Sequence, residues 1–409
     1  MKGYLQTGIK SQCFGCEACA QICPVNAIQM QEDDEKFRYP SIDESICIHC
    51  GKCLKVCPVE QLPPFYQDSQ YTFGGYYNSW DVRNQSTSGG AFTAILESWF
   101  EDDSVIFGAV AQGLYVYHTA VNKLDNASIF RKSKYLQSRI GDSYKKAEQF
   151  LEEGKKVLFS GTPCQIAGLR TFLKDKECSK LLTIEVICEG VPSPLFMESK
   201  NNYFKKKYHA AIKSIDYRNT DVKWNRSLFK GKWDFQVMSV ILENGKTIKQ
   251  DRWFNPFWKL WLSHLMSRPS CYQCPFTRPQ RGADITLGDL WGVHLYCPEL
   301  YGDNGGASLI VCNTQKGKDV FDKAKKKMYG HSLDFSTALK YQSPMRKCIA
   351  ANPKRIEFMS DLKSLSYEQL CNKWYSGPSL KLLWQKYIWG NRQKILAWNM
   401  LHNQKKEGQ

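Results

Sequence analysis

From Tyr76 onward the chain alternates between two hydrophobic rhythms. Apolar runs over 105–111, 116–121, 157–160, 182–187 and 308–313 have the length and composition of strands. Between them, 91–100, 144–153 and 166–173 carry helical patterns. Gly154 stops the second of these, and Ser86-Thr-Ser-Gly-Gly90 precedes the first. Strand and helix in alternation predict a sheet covered by helices. Beyond Val191 the pattern is mixed. Strands over 235–242 and 246–250 flank Glu243-Asn-Gly245, a hairpin signal, and a helix is expected over 254–266. In the last forty residues Leu380, Leu383, Trp384, Tyr387 and Ile388 share one helical face, which Ile395, Trp398 and Leu401 continue. Lys381, Lys386, Arg392 and Lys394 lie among them. Tryptophan with lysine suits peripheral contact with a membrane surface or an acidic partner. The spread of basic residues round the helix favours packing on the body of the protein or on a second copy.

The first sixty residues are organised by cysteine instead. Cys13-Phe-Gly-Cys16-Glu-Ala-Cys19-Ala-Gln-Ile-Cys23-Pro24 is followed by Cys47-Ile-His-Cys50-Gly-Lys-Cys53-Leu-Lys-Val-Cys57-Pro58. Both are C-x2-C-x2-C-x3-C-P, the spacing that holds 4Fe-4S clusters in bacterial-type ferredoxins. Three thiolates wrap one cluster and the fourth, before the proline, reaches the other. Cys13, Cys16, Cys19 and Cys57 are therefore expected on one cluster, and Cys23, Cys47, Cys50 and Cys53 on the second. Zinc also binds C-x2-C pairs, but a zinc ribbon has no use for eight cysteines in this rhythm. The polar stretch 31–36 between the two runs reads as a solvated excursion, and the paired prolines of Gln61-Leu-Pro-Pro-Phe-Tyr as a linker.

The reading that follows is an α+β and α/β multidomain chain. A ferredoxin-like domain (1–60) and a linker (61–75) lead into a mixed α/β flavin-binding domain in two parts (76–190 and 191–350). A helical, basic, aromatic-rich tail (351–409) follows. Its length of 409 residues, with 43% hydrophobic, supports a substantial core. The N-terminus shows no apolar secretory region and no run approaches the ~18 apolar residues of a membrane span. A reducing cytoplasm is the expected setting, where thiolates stay available to metal. Lys and Arg number 56 against 40 Asp and Glu, a net charge of +16. That excess favours an anionic partner: an acidic redox protein, an anionic cofactor, an acidic membrane face or nucleic acid. No helix-turn-helix, RNA-recognition or zinc-finger signature supports nucleic acid.

A second constellation lies in the α/β part. Ser86, Thr87, Ser88, Gly89 and Gly90 offer hydroxyls and open amides at a helix start, which suits a phosphate; Ser and Thr are equally ordinary N-caps. Gly161-Thr-Pro-Cys164-Gln165 sits at the C-terminal end of a strand, where open α/β sheets bind ligands. Cys188 also ends a strand, and Cys271 and Cys274 form a C-x2-C pair. These four could hold a third 4Fe-4S cluster, or Cys164 and Cys188 could be small buried apolar residues. Of the remaining cysteines, Cys312 reads as core.

Thr87-Ser-Gly-Gly90, Ser133-Lys-Tyr-Leu-Gln-Ser138, Gly161-Thr-Pro-Cys-Gln-Ile166, Cys188-Glu-Gly190, Cys271-x2-Cys274 and Ala283-Asp-Ile-Thr-Leu-Gly-Asp-Leu-Trp-Gly292 stand in order. Together, over 76–317, they resemble the coenzyme F(420) hydrogenase/dehydrogenase beta-subunit family. Its members bind FAD and a 4Fe-4S cluster, and the type members act on the deazaflavin coenzyme F(420). A similar branch reduces a chlorophyll derivative, so the fold does not fix the substrate. The resemblance implies a flavin on Ser86–Gly90, on Ser133, Lys134, Tyr135, Gln137 and Ser138, and on Gly161, Thr162, Pro163 and Gln165. It implies a third cluster on Cys164, Cys188, Cys271 and Cys274. Asp289 has two readings, an oxygen ligand or flavin neighbour and the cap of a turn. The implied function is an iron–sulfur flavoprotein oxidoreductase. It would relay electrons between a ferredoxin- or flavodoxin-type donor or acceptor and an FAD that exchanges hydride with a substrate, coenzyme F(420) among the candidates. The other reading is an electron-transfer subunit serving a catalytic subunit, without its own substrate.

Overall fold

The structure, a computed structural model, describes residues 2–66, 71–174, 176, 178–219, 237–300, 305–384 and 400. Strands β1 (Ile28–Glu32) and β2 (Arg38–Ile42) form an antiparallel hairpin in the cysteine-rich segment. Next come β3 (Tyr71–Tyr77), β4 (Val105–Gln112), β5 (Tyr115–Val121), β6 (Val157–Gly161) and β7 (Leu181–Val186). A separate antiparallel sheet holds β8 (Ile212–Asn219), β9 (Val237–Leu242) and β10 (Thr247–Asp251). β11 (Ile285–Asp289), β12 (Ser308–Cys312) and β13 (Met328–Ser332) then return to the first sheet. Its order is β13-β3-β12-β11-β7-β6-β4-β5. β4, β6, β7 and β11 run parallel at its centre and antiparallel strands flank them. One edge of the sheet thus collects the ends of β6, β7 and β11, where crossovers leave room for a ligand.

Helices Ala91–Trp99 and Gln315–Ala324 cover one face of this sheet, closing over Phe73, Leu158 and Ile310. Helices Ser143–Glu152 and Pro163–Phe172 cover the other, over Phe107 and Phe159. A third core joins the small sheet to helices Pro194–Tyr208, Pro256–Leu262, Arg355–Ser364 and Tyr367–Trp374, with Phe196, Phe257, Phe358 and Leu370 at its centre.

Several elements differ from the sequence pattern. β3 begins at Tyr71, inside the stretch expected to be linker. Gly74 and Gly75 weaken its strand signal, yet a Cβ at Gly75 would come within 2.4 Å of the Tyr329 carbonyl of β13. The helix expected from Ile166 starts at Pro163, because Thr162 and Gln165 form a capping box ahead of it. The helix expected over 254–266 is shorter: Asn255 caps it before Pro256, and it ends at Leu262, two residues before His264 takes a left-handed φ of 57°. Residues 355–374 are core rather than tail, with Phe358 and Leu370 fully buried. Helix Leu380–Trp384 is exposed, Leu380 at 85%. Lys386, Tyr387, Ile388, Arg392, Lys394, Ile395, Trp398 and Leu401 lie outside the described residues. No described helix is long and apolar enough to cross a membrane.

The acidic stretch 31–36 is not a solvated excursion. Glu35 pairs with Arg355, their side chains only 13% and 15% exposed, and its carbonyl accepts from Ser193 Oγ at 2.6 Å. Asp34 pairs with Lys363. The stretch looks solvated locally because its partners lie up to 329 residues away. Glu17 joins in: it pairs with Arg38 and accepts from the Gly141 amide at 3.0 Å. Gln21 Oε1 accepts from the Tyr144 amide at 2.9 Å, so the cysteine-rich segment caps the helix Ser143–Glu152 of the body.

His118 on β5 fixes another join. Its Nε2 faces the Ser160 carbonyl at 2.9 Å, and its Nδ1 faces Ser138 Oγ at 2.9 Å, which in turn accepts from Gln165 Nε2. Donation from Nε2–H to the carbonyl leaves Nδ1 as acceptor for the serine, so every polar atom is satisfied by a neutral ring. Burial lowers the His118 pKa to about 4.

Two measurements check these joins. Glu35→Ala strands a largely buried guanidinium and is expected to cost about 3 kcal/mol, whereas Asp34→Ala, at an exposed pair, costs at most about 1 kcal/mol. Denaturant unfolding of oxygen-protected protein should rank them in that order. The second concerns pH. The folded pKa of His118 lies below the unfolded value of 6.5, so the unfolded chain binds the proton more readily. Its contribution is complete above about pH 6.5 and is lost toward pH 4, at about 1.4 kcal/mol per unit. His118→Gln should flatten that limb of the stability curve; an unchanged slope would mean the ring is not held neutral.

Candidate functional site

The two cysteine runs fold alike. In each, the residue before the second cysteine and the residue after it are left-handed: Gly15 and Glu17 (φ 64° and 63°), His49 and Gly51 (51° and 69°). These turns start the short helices Ala18–Ile22 and Lys52–Lys55. Two of the four positions are not glycine, a local strain that persists where the surroundings dictate it. Cys13, Cys16, Cys19 and Cys57 line one hollow of about 460 Å³, with Cys53 also on its wall. Cys23 packs with Cys47 and Cys53, and Cys53 lies within electrostatic reach of Cys50 and Cys23. The structure thus brings the last cysteine of each run to the first three of the other. Amides point at two of the sulfurs, Gly15 N to Cys13 Sγ at 3.4 Å and Ala27 N to Cys23 Sγ at 3.2 Å. Such donors stabilise thiolate bound to metal. Burial pushes the thiols of Cys16 and Cys19 well above their ordinary pKa, so without a metal they would stay protonated. Donor set, crossing and amide contacts all fit a pair of 4Fe-4S clusters.

Cys164, Cys188, Cys271 and Cys274 also converge. They line a hollow of about 640 Å³, partly open to solvent. Cys164 comes from the first turn of the helix Pro163–Phe172, and Cys188 from just past β7. Cys271 lies in the turn Pro269–Gln273, and Cys274 ends it. Gly190, at φ 88°, leaves room here: a Cβ would meet Cys271 Cβ at 3.2 Å. Arg281 pins the segment carrying Cys274, pairing with Glu185 on β7 and donating to the carbonyls of Phe276 and Arg278 at 3.0 Å. Burial raises all four thiols, Cys271 to about 11 and Cys274 to about 12. Thiols so raised are poor nucleophiles; four of them around one space suit a metal cluster that displaces their protons. Cys312 is fully buried in β12, as expected of a core residue.

The loops read as flavin-binding form a chain of contacts on the same edge of the sheet. Ser133 N donates to Thr87 Oγ1 at 2.8 Å, which ties 133–138 to 86–90. Ser138 meets Gln165 at the other end. Gln137, Thr162 and Pro163 line the four-cysteine hollow itself. Many side chains here serve the protein. Ser86 Oγ donates to Val82 O and Ser88 Oγ to Ala307 O. Lys134 Nζ donates to the carbonyls of Phe130 and Arg131, and burial lowers its pKa to about 8. Tyr135 stacks edge-on among Tyr217, Trp258 and Trp261. Gly89 packs against Gly75 and Ser308, where a Cβ would fall within 2.5 Å of Gly75 O. The helix Ala91–Trp99 begins on Gly90 (φ 83°) with no side-chain cap. The Thr93 amide donates to Gly90 O, and no side chain caps the other amides of the first turn. Asp289 neither caps a turn with its side chain nor lines the cysteine hollow: it pairs with Arg218 at 2.6 Å.

Sequence reasoning missed three residues at the heart of this region. Phe14, between Cys13 and Cys16, forms a wall of both hollows and meets Phe276 edge-on at 5.3 Å. Arg268 lines the four-cysteine hollow. Cys348 donates to Cys274 O at 3.2 Å. Phe14 occupies a variable position of its motif, and Arg268 and Cys348 belong to no spacing pattern, so none carried a signal.

Residues 154–336 match the family described as the C terminus of the coenzyme F(420) hydrogenase/dehydrogenase beta subunit, and residues 12–61 match the 4Fe-4S dicluster domain. Among solved structures the chain resembles a chain of the F(420)-reducing [NiFe] hydrogenase complex from Methanosarcina barkeri. The identity is 16% and the TM-score 0.42, over 76% of this chain and 94% of that one. Comparison with curated proteins gives no match. Residues 12–61 are thus a 4Fe-4S dicluster domain, and residues 154–336 belong to the C-terminal family of coenzyme F(420) hydrogenase/dehydrogenase beta subunits.

Proposed function

We propose that this chain is an iron–sulfur flavoprotein oxidoreductase. In this reading Cys13, Cys16, Cys19 and Cys57 hold one 4Fe-4S cluster and Cys23, Cys47, Cys50 and Cys53 another. Cys164, Cys188, Cys271 and Cys274 hold a third, and FAD lies along 86–90, 133–138 and 161–165. The observation that carries it is the shared wall: Phe14 lines both the first ferredoxin hollow and the four-cysteine hollow. When bound, iron–sulfur clusters exchange single electrons and a flavin exchanges one or two, the latter with hydride.

The chain's own residues do the rest. Phe14 and Phe276 keep water out between the hollows, with Ala167 packed against them. Thr162 Oγ1 lies 3.3 Å from Cys164 Sγ, placed to donate to a thiolate there. Gln137 donates to the carbonyls of Phe14 and Gly15, so the loop proposed for the flavin also holds the first cysteine run in place. Helix Ala91–Trp99 offers its uncapped N-terminus to an anionic group. Coenzyme F(420), an anionic deazaflavin, is the substrate that the family name suggests, and the positive balance of the chain suits it.

A second reading, an electron-transfer subunit without its own substrate, draws on one surface feature. Cys50 is exposed, and Ile46 and Ile48 beside it are 48% and 59% exposed. Apolar exposure around an exposed cluster ligand suits docking of another redox protein.

Anaerobic iron, sulfide and flavin analysis tests the assignment. The expected content is about twelve iron per chain, falling to about eight in Cys188→Ser, with about one FAD in both. About eight iron in the unaltered protein would remove the third cluster. Protein that neither carries nor takes up flavin would remove hydride chemistry and leave the second reading.

A further inference from the structure

Arg268 lies between the two hollows that Phe14 divides. It is 1% exposed and the largest fully buried side chain of the described residues. Its Nε donates to Cys13 O at 2.9 Å, its Nη2 to Arg38 O at 2.9 Å and its Nη1 to Gln137 Oε1 at 3.2 Å. The guanidinium lies 4.4 Å from the centre of the Tyr39 ring. On its other side, its own carbonyl accepts from the Cys271 amide at 2.9 Å. A continuous route of bonds and hydrogen bonds therefore runs from Cys13 through Arg268 to Cys271.

The charge of this residue has no carboxylate to answer it among the described residues. The two neighbouring arginines differ: Arg38 pairs with Glu17 and Arg281 with Glu185. Arg268 has two carbonyls and an amide oxygen instead. A buried charge left to neutral partners is destabilising by several kcal/mol. What surrounds it instead is cysteine: Cys13 through its carbonyl, and Cys164, Cys188, Cys271 and Cys274 in the hollow that Arg268 helps to line. Thiolates bound to iron carry the missing negative charge.

We propose that Arg268 sets the reduction potentials of the two iron–sulfur groups it lies between, raising both. This rests on the cluster assignments above. Each group gains negative charge on reduction, and a fixed buried cation stabilises the more negative form. Arg268 also positions the two groups, because one side chain holds the carbonyl of Cys13 while its backbone holds the amide of Cys271. The second cluster, on Cys23, Cys47, Cys50 and Cys53, has no described contact with Arg268 and serves as the internal control.

The test is an anaerobic redox titration of the intact holoprotein, followed by electron paramagnetic resonance. In Arg268→Gln the two neighbouring groups should become harder to reduce. The reduced-to-oxidised ratio at fixed poise should fall about tenfold or more, about 59 mV for one electron, and the second cluster should move much less. Arg268→Lys keeps the charge and should move all three by less than about threefold. Arg268→Gln with full iron content and unshifted potentials would overturn the proposal and leave Arg268 a structural clamp. If that variant loses iron, Gln137→Glu decides, since a carboxylate against the guanidinium should lower the same two potentials; unmoved values there also overturn it. Should the unaltered protein hold only about eight iron, the third-cluster assignment has failed. The shift at the first cluster then still decides the role of Arg268.

Discussion

The structure depends on holding the ferredoxin-like segment rigidly against the α/β body. The polar contacts that do so are largely buried. Glu17 takes the Gly141 amide, Gln21 caps a helix of the body, and Arg268 reaches across to the carbonyls of Cys13 and Arg38. Each of these side chains is at most 6% exposed. Buried polar groups are costly unless satisfied, so such contacts specify one docking geometry and penalise all others. A tethered ferredoxin, joined by linker alone, would sample many distances from the four-cysteine hollow. Here one residue, Phe14, lines both hollows.

How much of this was legible follows from the range of each interaction. The cysteine runs were legible because their ligands lie within twelve residues and the spacing itself dictates the turns. Three of the four parallel strands, β4, β6 and β7, were legible because each carries its own hydrophobic run, whereas β11 was read only as part of a motif. The acidic stretch 31–36 was misread for the opposite reason. Four acids and a lysine in sequence look solvated, and nothing local reveals Arg355 or Lys363. β3 was hidden by Gly74 and Gly75, whose missing side chains make room for β13 and for Leu290 and Leu333. The four cysteines of the inner hollow fall between these cases. Their positions at strand and turn ends were visible, but their convergence depends on crossovers that place β7 beside β11.

The loops proposed for a flavin show a division of labour that composition alone conceals. Their hydroxyls, amides and lysine look like ligand contacts. In the structure Ser86, Ser88, Ser138, Gln165 and Lys134 are each bonded to protein. Such contacts fix the loops relative to one another and leave backbone amides as the groups able to meet a ligand. A site built on backbone donors is rigid and insensitive to side-chain rotamers. His118 belongs to this support: neutral and enclosed, it holds Ser138 against β6.

Exposure differs among the cysteines, and the difference has a consequence. Cys50 is exposed, Cys16 and Cys23 are buried, and the inner four are partly buried, Cys164 and Cys274 packing against the buried Phe14 and Phe276. In the proposed reading, a charge entering at Cys50 would move from an exposed rim to more enclosed thiolates, where burial on solvation grounds alone disfavours added negative charge. Amides aimed at Cys13 and Cys23 offset part of that. Between the first and the inner set, beside Phe14, the chain places a guanidinium that is 1% exposed and has no described carboxylate partner. In that reading, amides and a cation at these places would offset the cost that burial places on added charge, so partial enclosure and transfer of charge become compatible in one protein.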